Sequence, residues 1–282
     1  MRALAAVLLA SVTASCYSLA TSLQALEARR APSDEALRAS LIARLVRRPL
    51  WLAGAAAGLL AWPLQALALS IGSVALVQPA LGFGLIVLLV LGVRVLHESI
   101  GVREVGGVLA ITAAVAILGW AAPSETGSFT TTGTWAVGLA ALVIAPSPYL
   151  LRAVGRAGGL PTSIAAGVGW AWVGLGTSLL DVAVADRHWL VALAWGAAVA
   201  ATSWGALLDE MTSLQTWPAT RAIPVSFGLE MAAPAALAPF LTHQSPPHTA
   251  AFALALLLAL AGAAVLGSSR AVARAAVPLT AP

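Results

Sequence analysis

The segment RAIPVSFGLEMAAPAAL, residues 221–237, carries two ionisable side chains in an otherwise apolar stretch. Arg221 and Glu230 are separated by about 13 Å along a straight α-helix and lie on opposite sides of it, so they cannot pair within that helix. A carboxyl group left alone in apolar surroundings can bind and release a proton as water reaches it. Glu230 is therefore the first candidate for proton coupling or solute contact. The alternative is a buried neutral carboxyl bonded to a backbone carbonyl.

Arg221 itself fits a structural role. Asp209 and Glu210 end the preceding apolar run on the same side of the predicted membrane. The sequence therefore predicts a structural ion pair between Arg221 and one of these carboxylates, and snorkelling of Arg221 to lipid headgroups is the alternative. Under either interpretation, replacing Arg221 harms stability more than chemistry.

Two glutamines and a tryptophan complete the candidate solute site: Gln65, Gln78 and Trp204. Because Gln78 precedes a proline, we expect a helix break there that exposes backbone carbonyls within the membrane. The alternative is that the glutamines join neighbouring helices by hydrogen bonds. Four tryptophans can line a cavity, or else anchor and pack helices: Trp170, Trp172, Trp195 and Trp204.

The composition indicates which elements hold these residues. The chain has 282 residues, of which 60% are hydrophobic and 9% charged, whereas a typical soluble domain is about a quarter charged. Such a surface needs lipid around it, and each apolar run of about 20 residues predicts a membrane helix. Nine runs meet this description: 3–26, 50–70, 73–93, 105–121, 134–151, 161–181, 189–208, 217–240 and 249–267. The spacing of Gly54 and Gly58 predicts close helix packing.

The positions of the arginines, which are the chain's only basic residues apart from histidine, predict the topology. Six arginines lie in residues 28–49, and placing this loop in the cytoplasm puts most of the others there as well. The outer side then keeps Arg2 and Arg187. The distribution predicts a multi-pass protein of the plasma (inner) membrane with its N-terminus outside, its C-terminus in the cytoplasm and an odd number of spans.

Two segments have competing interpretations. Residues 1–16 resemble a signal sequence with a loose lipoprotein cleavage site before Cys16. The apolar run continues to Leu26 and arginines follow it, which favours a retained helix. Residues 34–48 place apolar side chains at helical spacing between arginines. This pattern predicts a short amphipathic helix on the inner leaflet, attracted to anionic lipid, although a solvated basic linker fits the same residues.

The sequence contains no enzyme or cofactor signature. The four histidines lack metal-ligand spacing, and no phosphate-binding or dinucleotide motif is present. Cys16 is the single cysteine, so neither a disulfide nor a cysteine metal site is expected. The basic residues form no stripe with interleaved aromatics, which argues against nucleic acid. We therefore expect no catalytic residues, metal or cofactor. The expected partners are a small solute and membrane lipid, and the sequence is compatible with either a monomer or a homodimer.

The chain contains a weak internal repeat. Segments beginning at Trp51 and at Trp189 each run through one apolar stretch, reach a proline at a similar distance and close a later span with Leu-Gly. The first segment starts inside and the second outside, which makes them inverted copies, as in alternating-access transporters. The repeat predicts two halves, residues 1–121 and 134–267, followed by a cytoplasmic tail at 268–282.

Four features occur in order along the first half of the chain: a Trp-x-x-Gly helix entry at Trp51, the ALVQPAL motif from Ala75, Glu98, and a glycine-rich helix entry at Gly106. Through these features residues 46–125 resemble the drug/metabolite transporter superfamily, mostly its NIPA-like branch, and they are also similar to EamA-type exporters. The resemblance implies ten helices in two inverted halves, here without the leading helix. It also implies that Glu98 anchors a loop at the inner end.

Together these observations predict an all-α polytopic membrane protein with about nine helices in two inverted repeats. We expect a secondary transporter that moves a small metabolite or drug by alternating access, with proton coupling at Glu230. Magnesium transport is the second hypothesis. It ranks below an organic solute because AWPLQALAL stands where the NIPA-like second span has polar and acidic residues, which are the ligands that Mg²⁺ prefers. A membrane scaffold subunit that transports nothing is the third.

Overall fold

The computed structural model describes residues 2–72, 74–121, 129–242 and 245–268, without the side chains of residues 3, 74–76, 78 and 79. Within these ranges the chain is helical with short connections and has no strand, which confirms the all-α prediction. The predicted tail beyond 268 and part of the outer loop, 122–128, lie outside the described residues. A 3₁₀ turn spans Ser33–Glu35, and the helices are α1 Arg2–Ala28, α2 Ala39–Leu45, α3 Pro49–Ile71, α4 Val74–Arg94, α5 Val102–Ala121, α6 Thr131–Ile144, α7 Ser147–Ala153, α8 Leu160–Ala185, α9 Trp189–Thr216, α10 Ala219–Thr242 and α11 Thr249–Ser268.

Seven of these helices are long and apolar enough to cross a membrane: α1, α3, α5, α8, α9, α10 and α11. Together α6 and α7 qualify as an eighth span, bent by 44°, where Pro146 and Pro148 interrupt the helical hydrogen-bond ladder. The apolar part of α4, Ala80–Arg94, is shorter than a span. The described chain thus supports seven or eight spans, and the predicted nine are not confirmed.

Contacts between helix termini show which termini lie together at each end of the bundle. At one end Arg29, just after α1, pairs with Glu98, which also accepts hydrogen bonds from the backbone N–H groups that begin α10. At the other end the Thr130 N–H before α6 donates to the Leu241 carbonyl of α10 at 2.9 Å. We call the first one the arginine-rich end, because its helix termini and loops carry Arg29, Arg30, Arg38, Arg44, Arg47, Arg48, Arg94, Arg103, Arg152, Arg156 and Arg221. The opposite end carries Arg2 and Arg187 among the described residues.

The bundle contains two similar groups of helices. In one, α1 packs against α3 and α4; in the other, α8 packs against α9 and α10, while α5 packs against α11. Small residues permit these close contacts. A Cβ added to Gly54 of α3 would lie 2.7 Å from the Ala20 carbonyl oxygen of α1, and one added to Gly167 of α8 would lie 2.5 Å from the Ser226 carbonyl oxygen of α10.

The predicted amphipathic helix is present as α2, but protein rather than lipid covers its apolar face. Leu41, Ile42 and Leu45 are buried in a cluster with residues of α1, α3 and α9. Just before α2, Leu37 donates its backbone N–H to the Thr212 hydroxyl of α9 at 3.0 Å. The predicted short helix is therefore present in place of a solvated linker, and its attraction to anionic lipid stays a prediction.

The helix break predicted at Gln78-Pro79 is absent from the described backbone, because α4 continues through these residues. Pro79 lies in the second turn of α4, so its missing N–H removes one hydrogen bond close to the helix start. The interruption occurs between α6 and α7 instead, where two prolines are separated by one residue.

The contact between α1 and α3 predicts opposite outcomes for two glycines of the same helix. Gly54→Ala should lower the free energy of unfolding by about 1–3 kcal/mol, because the new methyl group meets a backbone oxygen that cannot yield. Gly58→Ala should be neutral or stabilise by up to about 1 kcal/mol, since its Cβ would meet only Ala20 Cβ at 3.7 Å. Thermal unfolding of both variants in detergent tests this, and equal midpoints would contradict the close contact.

Candidate functional site

Two hydrogen-bonded pairs and a glutamate from five helices interact inside the bundle, and we call them the carboxylate cluster: Tyr17 of α1, Gln65 of α3, Trp170 of α8, Glu210 of α9 and Glu230 of α10. The Trp170 indole N–H donates to Glu210 Oε2 at 2.7 Å, and the Tyr17 hydroxyl donates to Gln65 Oε1 at 3.1 Å. Glu230 lies close enough to Glu210 and to Tyr17 to interact with both electrostatically. The structure thus brings together two of the predicted solute-site residues, Gln65 and Glu230.

The carboxylate cluster lies within the membrane-spanning part of the helices. At the helical rise per residue, Glu210 is about 9 Å, Tyr17 and Glu230 about 16 Å and Gln65 about 24 Å from the arginine-rich ends of their helices. All five side chains are half-buried, so each keeps part of its surface free of protein contact. Ionisable side chains at this depth usually face a cavity or a transport path.

The chemistry of the cluster suits protons and organic cations. Two carboxyl groups that interact electrostatically repel each other when both are ionised, and a bound proton or cation relieves this repulsion. The ring faces of Tyr17 and Trp170 attract cations through their π-electrons. A protonated amine would therefore satisfy Glu210 and Glu230 while its apolar part contacts the rings.

The two remaining solute-site candidates have different outcomes. Gln78 lies on α4, but its side chain is outside the described part of the structure, so its role stays a prediction. Trp204 is 39% exposed and donates its indole N–H to the Tyr149 hydroxyl of α7 at 3.3 Å. Trp204 therefore belongs to the outer surface of the contact between α7 and α9, and the structure does not bring it to the carboxylate cluster.

Asp209 is adjacent to Glu210 in sequence but points toward a different neighbour. Its side chain is completely buried, and its Oδ2 accepts a hydrogen bond from the Ser147 hydroxyl at the start of α7, at 2.6 Å. Its other oxygen, Oδ1, has no hydrogen-bond partner in the described structure. Asp209 thus connects α9 to the bend between α6 and α7.

The ion pair of Arg221 differs from the prediction. Arg221 Nη2 lies 2.6 Å from Glu104 Oε1 of α5, and both side chains are almost completely buried. Asp209 and Glu210 are the wrong partners because they lie about 9–10 Å from the end of α9, whereas Arg221 lies about 3 Å from the start of α10. Glu104, in the first turn of α5, is level with Arg221 at the arginine-rich end.

Glu98 connects the two helix groups at the same end. Besides its pairing with Arg29, its Oε1 accepts the Ala219 N–H at 2.7 Å and its Oε2 accepts the Thr220 N–H at 3.0 Å. A carboxylate at this place satisfies unpaired donors at the start of α10 and interacts favourably with the positive end of the helix dipole. The predicted role of Glu98 as a loop anchor at this end is confirmed.

The contacts of Glu104, Tyr17 and Trp170 were not predicted from the sequence. Glu104 also accepts the Gly101 N–H at 2.9 Å, an arrangement typical of a helix-capping glutamate, so its spacing alone suggests a purely local role. Tyr17 lies in an apolar helix without a distinguishing neighbour. Trp170 belongs to the tryptophans identified in the sequence, but a tryptophan that packs and one that binds a carboxylate have the same local pattern.

The buried pair between Arg221 and Glu104 predicts a non-additive mutational pattern. Arg221→Gln should lower the free energy of unfolding by about 3–5 kcal/mol, because it removes the charge opposite a buried carboxylate. The double variant Arg221→Gln/Glu104→Gln should lose less than the sum of the two single losses. Thermal or denaturant unfolding in detergent measures both, with the exposed neighbour Arg103→Gln as the control. Additive losses, or equal losses for Arg221→Gln and Arg103→Gln, would contradict the pairing.

Comparison of the chain with protein-family models, with curated proteins and with solved structures gave no match. The resemblance to the drug/metabolite transporter superfamily therefore stays a prediction from the sequence.

Proposed function

We propose that the protein is a secondary transporter that moves a small organic solute across the membrane by alternating access, in exchange for protons. The observation that carries this proposal is the carboxylate cluster, in which Glu210 and Glu230 interact electrostatically within apolar helices, with two aromatic side chains and an amide in the same cluster. Two ionisable groups of like charge are costly at this depth, and such groups are typical of solute and proton pathways. The same groups favour a solute with a protonated amine.

The packing of the helices supports two inverted halves. The contacts of α1 with α3 and α4 correspond to those of α8 with α9 and α10. This correspondence pairs the helices that contain Trp51 and Trp189, as the sequence repeat does. α5 and α11 also meet through matching glycines: a Cβ on Gly107 would lie 3.2 Å from the Gly262 carbonyl oxygen, and one on Gly262 would lie 2.8 Å from that of Gly107. Such a reciprocal contact is expected around a pseudo-twofold axis.

The carboxylate cluster draws on both halves, as transport sites in inverted-repeat proteins do. Tyr17 and Gln65 belong to the first half, whereas Trp170, Glu210 and Glu230 belong to the second. Relative movement of the halves would therefore change the distances within the cluster. This arrangement suits a site that faces one side of the membrane at a time.

Contacts between the halves at the arginine-rich end support a closed gate there. Glu98 holds the start of α10, Arg221 of α10 pairs with Glu104 of α5, and Leu37 bonds to Thr212 of α9. Alternating access requires that these contacts separate while the opposite end closes. Each contact involves an ionised or hydrogen-bonding group, so water entering the gate can solvate it as it opens.

In the exchange cycle, the amine of the solute and a proton compete for the same carboxylates. Trp170 fixes the orientation of Glu210, whereas no described side chain donates a hydrogen bond to Glu230. Glu230 is therefore the group that releases its proton when the amine binds and regains one from the opposite side, displacing the solute. This competition couples the two movements without ATP.

The positive-inside rule gives the orientation. It places the arginine-rich end in the cytoplasm, with the N-terminus outside and the C-terminus inside. If the α6–α7 pair and α4 each cross the membrane, the chain has nine spans, the odd number that this orientation requires. The proposal includes a plasma (inner) membrane location, for which the positive-inside rule holds.

Replacement of Glu230 tests proton coupling. Glu230→Gln keeps the size and hydrogen bonding of a protonated carboxyl but cannot titrate. Exchange driven by a pH gradient should therefore fall by at least about tenfold, because the variant cannot bind and release the coupling proton. Transport into proteoliposomes is measured for cationic, neutral and anionic organic solutes and for magnesium. Asp186→Asn, an exposed residue at the end of α8, is the control.

Several outcomes would contradict the proposal. A wild-type rate and pH profile in Glu230→Gln would make Glu230 a structural carboxyl. Uptake of magnesium in preference to every organic solute would favour the divalent-cation hypothesis. Retention of normal folding with no transport of any solute would favour a scaffold subunit.

Cysteine labelling tests the orientation. In a Cys16→Ser background, cysteines at Thr131 and Thr132, exposed at the start of α6, should react with an impermeant thiol reagent added to intact cells. Cysteines at Ser33 and Ser40, exposed around the start of α2, should react only after the membrane is permeabilised. The reverse pattern would overturn the orientation.

A further inference from the structure

An open cavity at the arginine-rich end belongs to neither the carboxylate cluster nor the gate. It measures about 450 Å³ and lies between α2, the turn that precedes it and the start of α3; it is lined by Glu35, Ser40, Ala43, Arg44, Arg47 and Arg48. We call it the arginine cavity. Three guanidinium groups face it against a single carboxylate, so its net charge is positive.

Ion pairs with carboxylates neutralise only part of the positive charge of the arginine side chains. Arg44 binds Glu35 through two hydrogen bonds, of 2.8 and 2.6 Å, and this bonding lowers the pKa of the Glu35 carboxyl, which keeps it ionised. Arg48 lies 3.9 Å from a carboxylate oxygen of Glu27, beyond hydrogen-bond distance. Exposed Arg47 has no ion-pair partner among the described residues. Arg47 is therefore available to an anion, and Arg48, whose ion pair with Glu27 is long, is only partly neutralised.

The start of α3 directly follows Arg48, a residue of the cavity lining. α3 begins at Pro49 after Arg48, and no side chain caps it. The first backbone N–H groups of a helix and its dipole attract an anion, most effectively a phosphate. The helix continues for 23 residues, so its dipole is fully developed.

The surroundings of the cavity point to a lipid rather than a water-soluble anion. Val46, Leu50 and Leu52 beside it are 42%, 40% and 47% exposed, and Leu59 and Leu60 continue this apolar surface along α3. The cavity itself lies at the end of the membrane-spanning helices, where lipid headgroups are found. A phosphate in the cavity would leave its acyl chains along α3.

We propose that the arginine cavity binds the headgroup phosphate of an anionic phospholipid, whose acyl chains lie against the exposed apolar side chains of α3. Arg47 and Arg48 bind the phosphate oxygens, since a guanidinium group presents paired N–H donors to them. This site is independent of the proposed transport activity. It also differs from the sequence prediction for α2, because the helix contacts lipid through its arginines while its apolar face contacts protein.

Native mass spectrometry of the detergent-purified full chain, titrated with phosphatidylglycerol or phosphatidylcholine, tests the site. The wild-type protein should bind phosphatidylglycerol more tightly than phosphatidylcholine. Arg47→Gln/Arg48→Gln should weaken phosphatidylglycerol binding about fivefold for each arginine removed, whereas Arg47→Lys/Arg48→Lys should keep most of it. Arg152→Gln/Arg156→Gln removes two exposed arginines from another loop at the same end and should leave binding unchanged.

Three results would overturn the proposal. Equal binding of the two lipids would show that the headgroup charge is not recognised. Equal weakening in Arg152→Gln/Arg156→Gln would show a general surface-charge effect. Binding of glycerol phosphate as tightly as phosphatidylglycerol would show that the cavity takes a free phosphate and does not select a lipid. A far-UV circular dichroism spectrum unchanged from the wild type confirms that each variant is folded, and transport measurements do not enter the test.

Discussion

A hydrocarbon environment offers no water to solvate an ionised side chain, so each charge inside the bundle needs a partner within the protein. This constraint explains the interior of the molecule. Arg221 pairs with Glu104, and Glu98 binds Arg29 and the start of α10. Glu210 and Glu230 differ, because each has the other carboxylate as its charged neighbour instead of a basic group.

Close contacts between helix backbones allow the side chains of these pairs to reach each other. Glycine and alanine at the helix contacts let neighbouring backbones approach until an added methyl group would meet a carbonyl oxygen, as at Gly54 and Gly167. Short distances between helix axes bring groups from distant parts of the chain into hydrogen-bond range. The same small side chains leave space around larger ones, which fits the half-buried state of Tyr17 and Trp170.

Arginine has two structural uses at one end of the molecule. Arg29 and Arg221 are drawn into ion pairs that join helices, whereas Arg47 stays at the surface. The difference follows from what lies opposite each residue: the first two face carboxylates placed by α4, α5 and their connection, and the third faces an open cavity. Charge distribution along the chain therefore sets sidedness, and neighbouring helices decide which arginines become structural.

Composition and spacing within single helices predicted the all-α class, the grouping of arginines at one end, the close packing at Gly54 and the deep position of Glu230 in its helix. The fold was needed to show that Arg221 binds Glu104, 117 residues away, that Trp170 and Tyr17 join the carboxylate cluster, and that Trp204 faces outward. These helices are apolar on nearly every side, so polarity does not tell which face meets which neighbour. That choice is made by shape, through the small residues that admit one helix and exclude another.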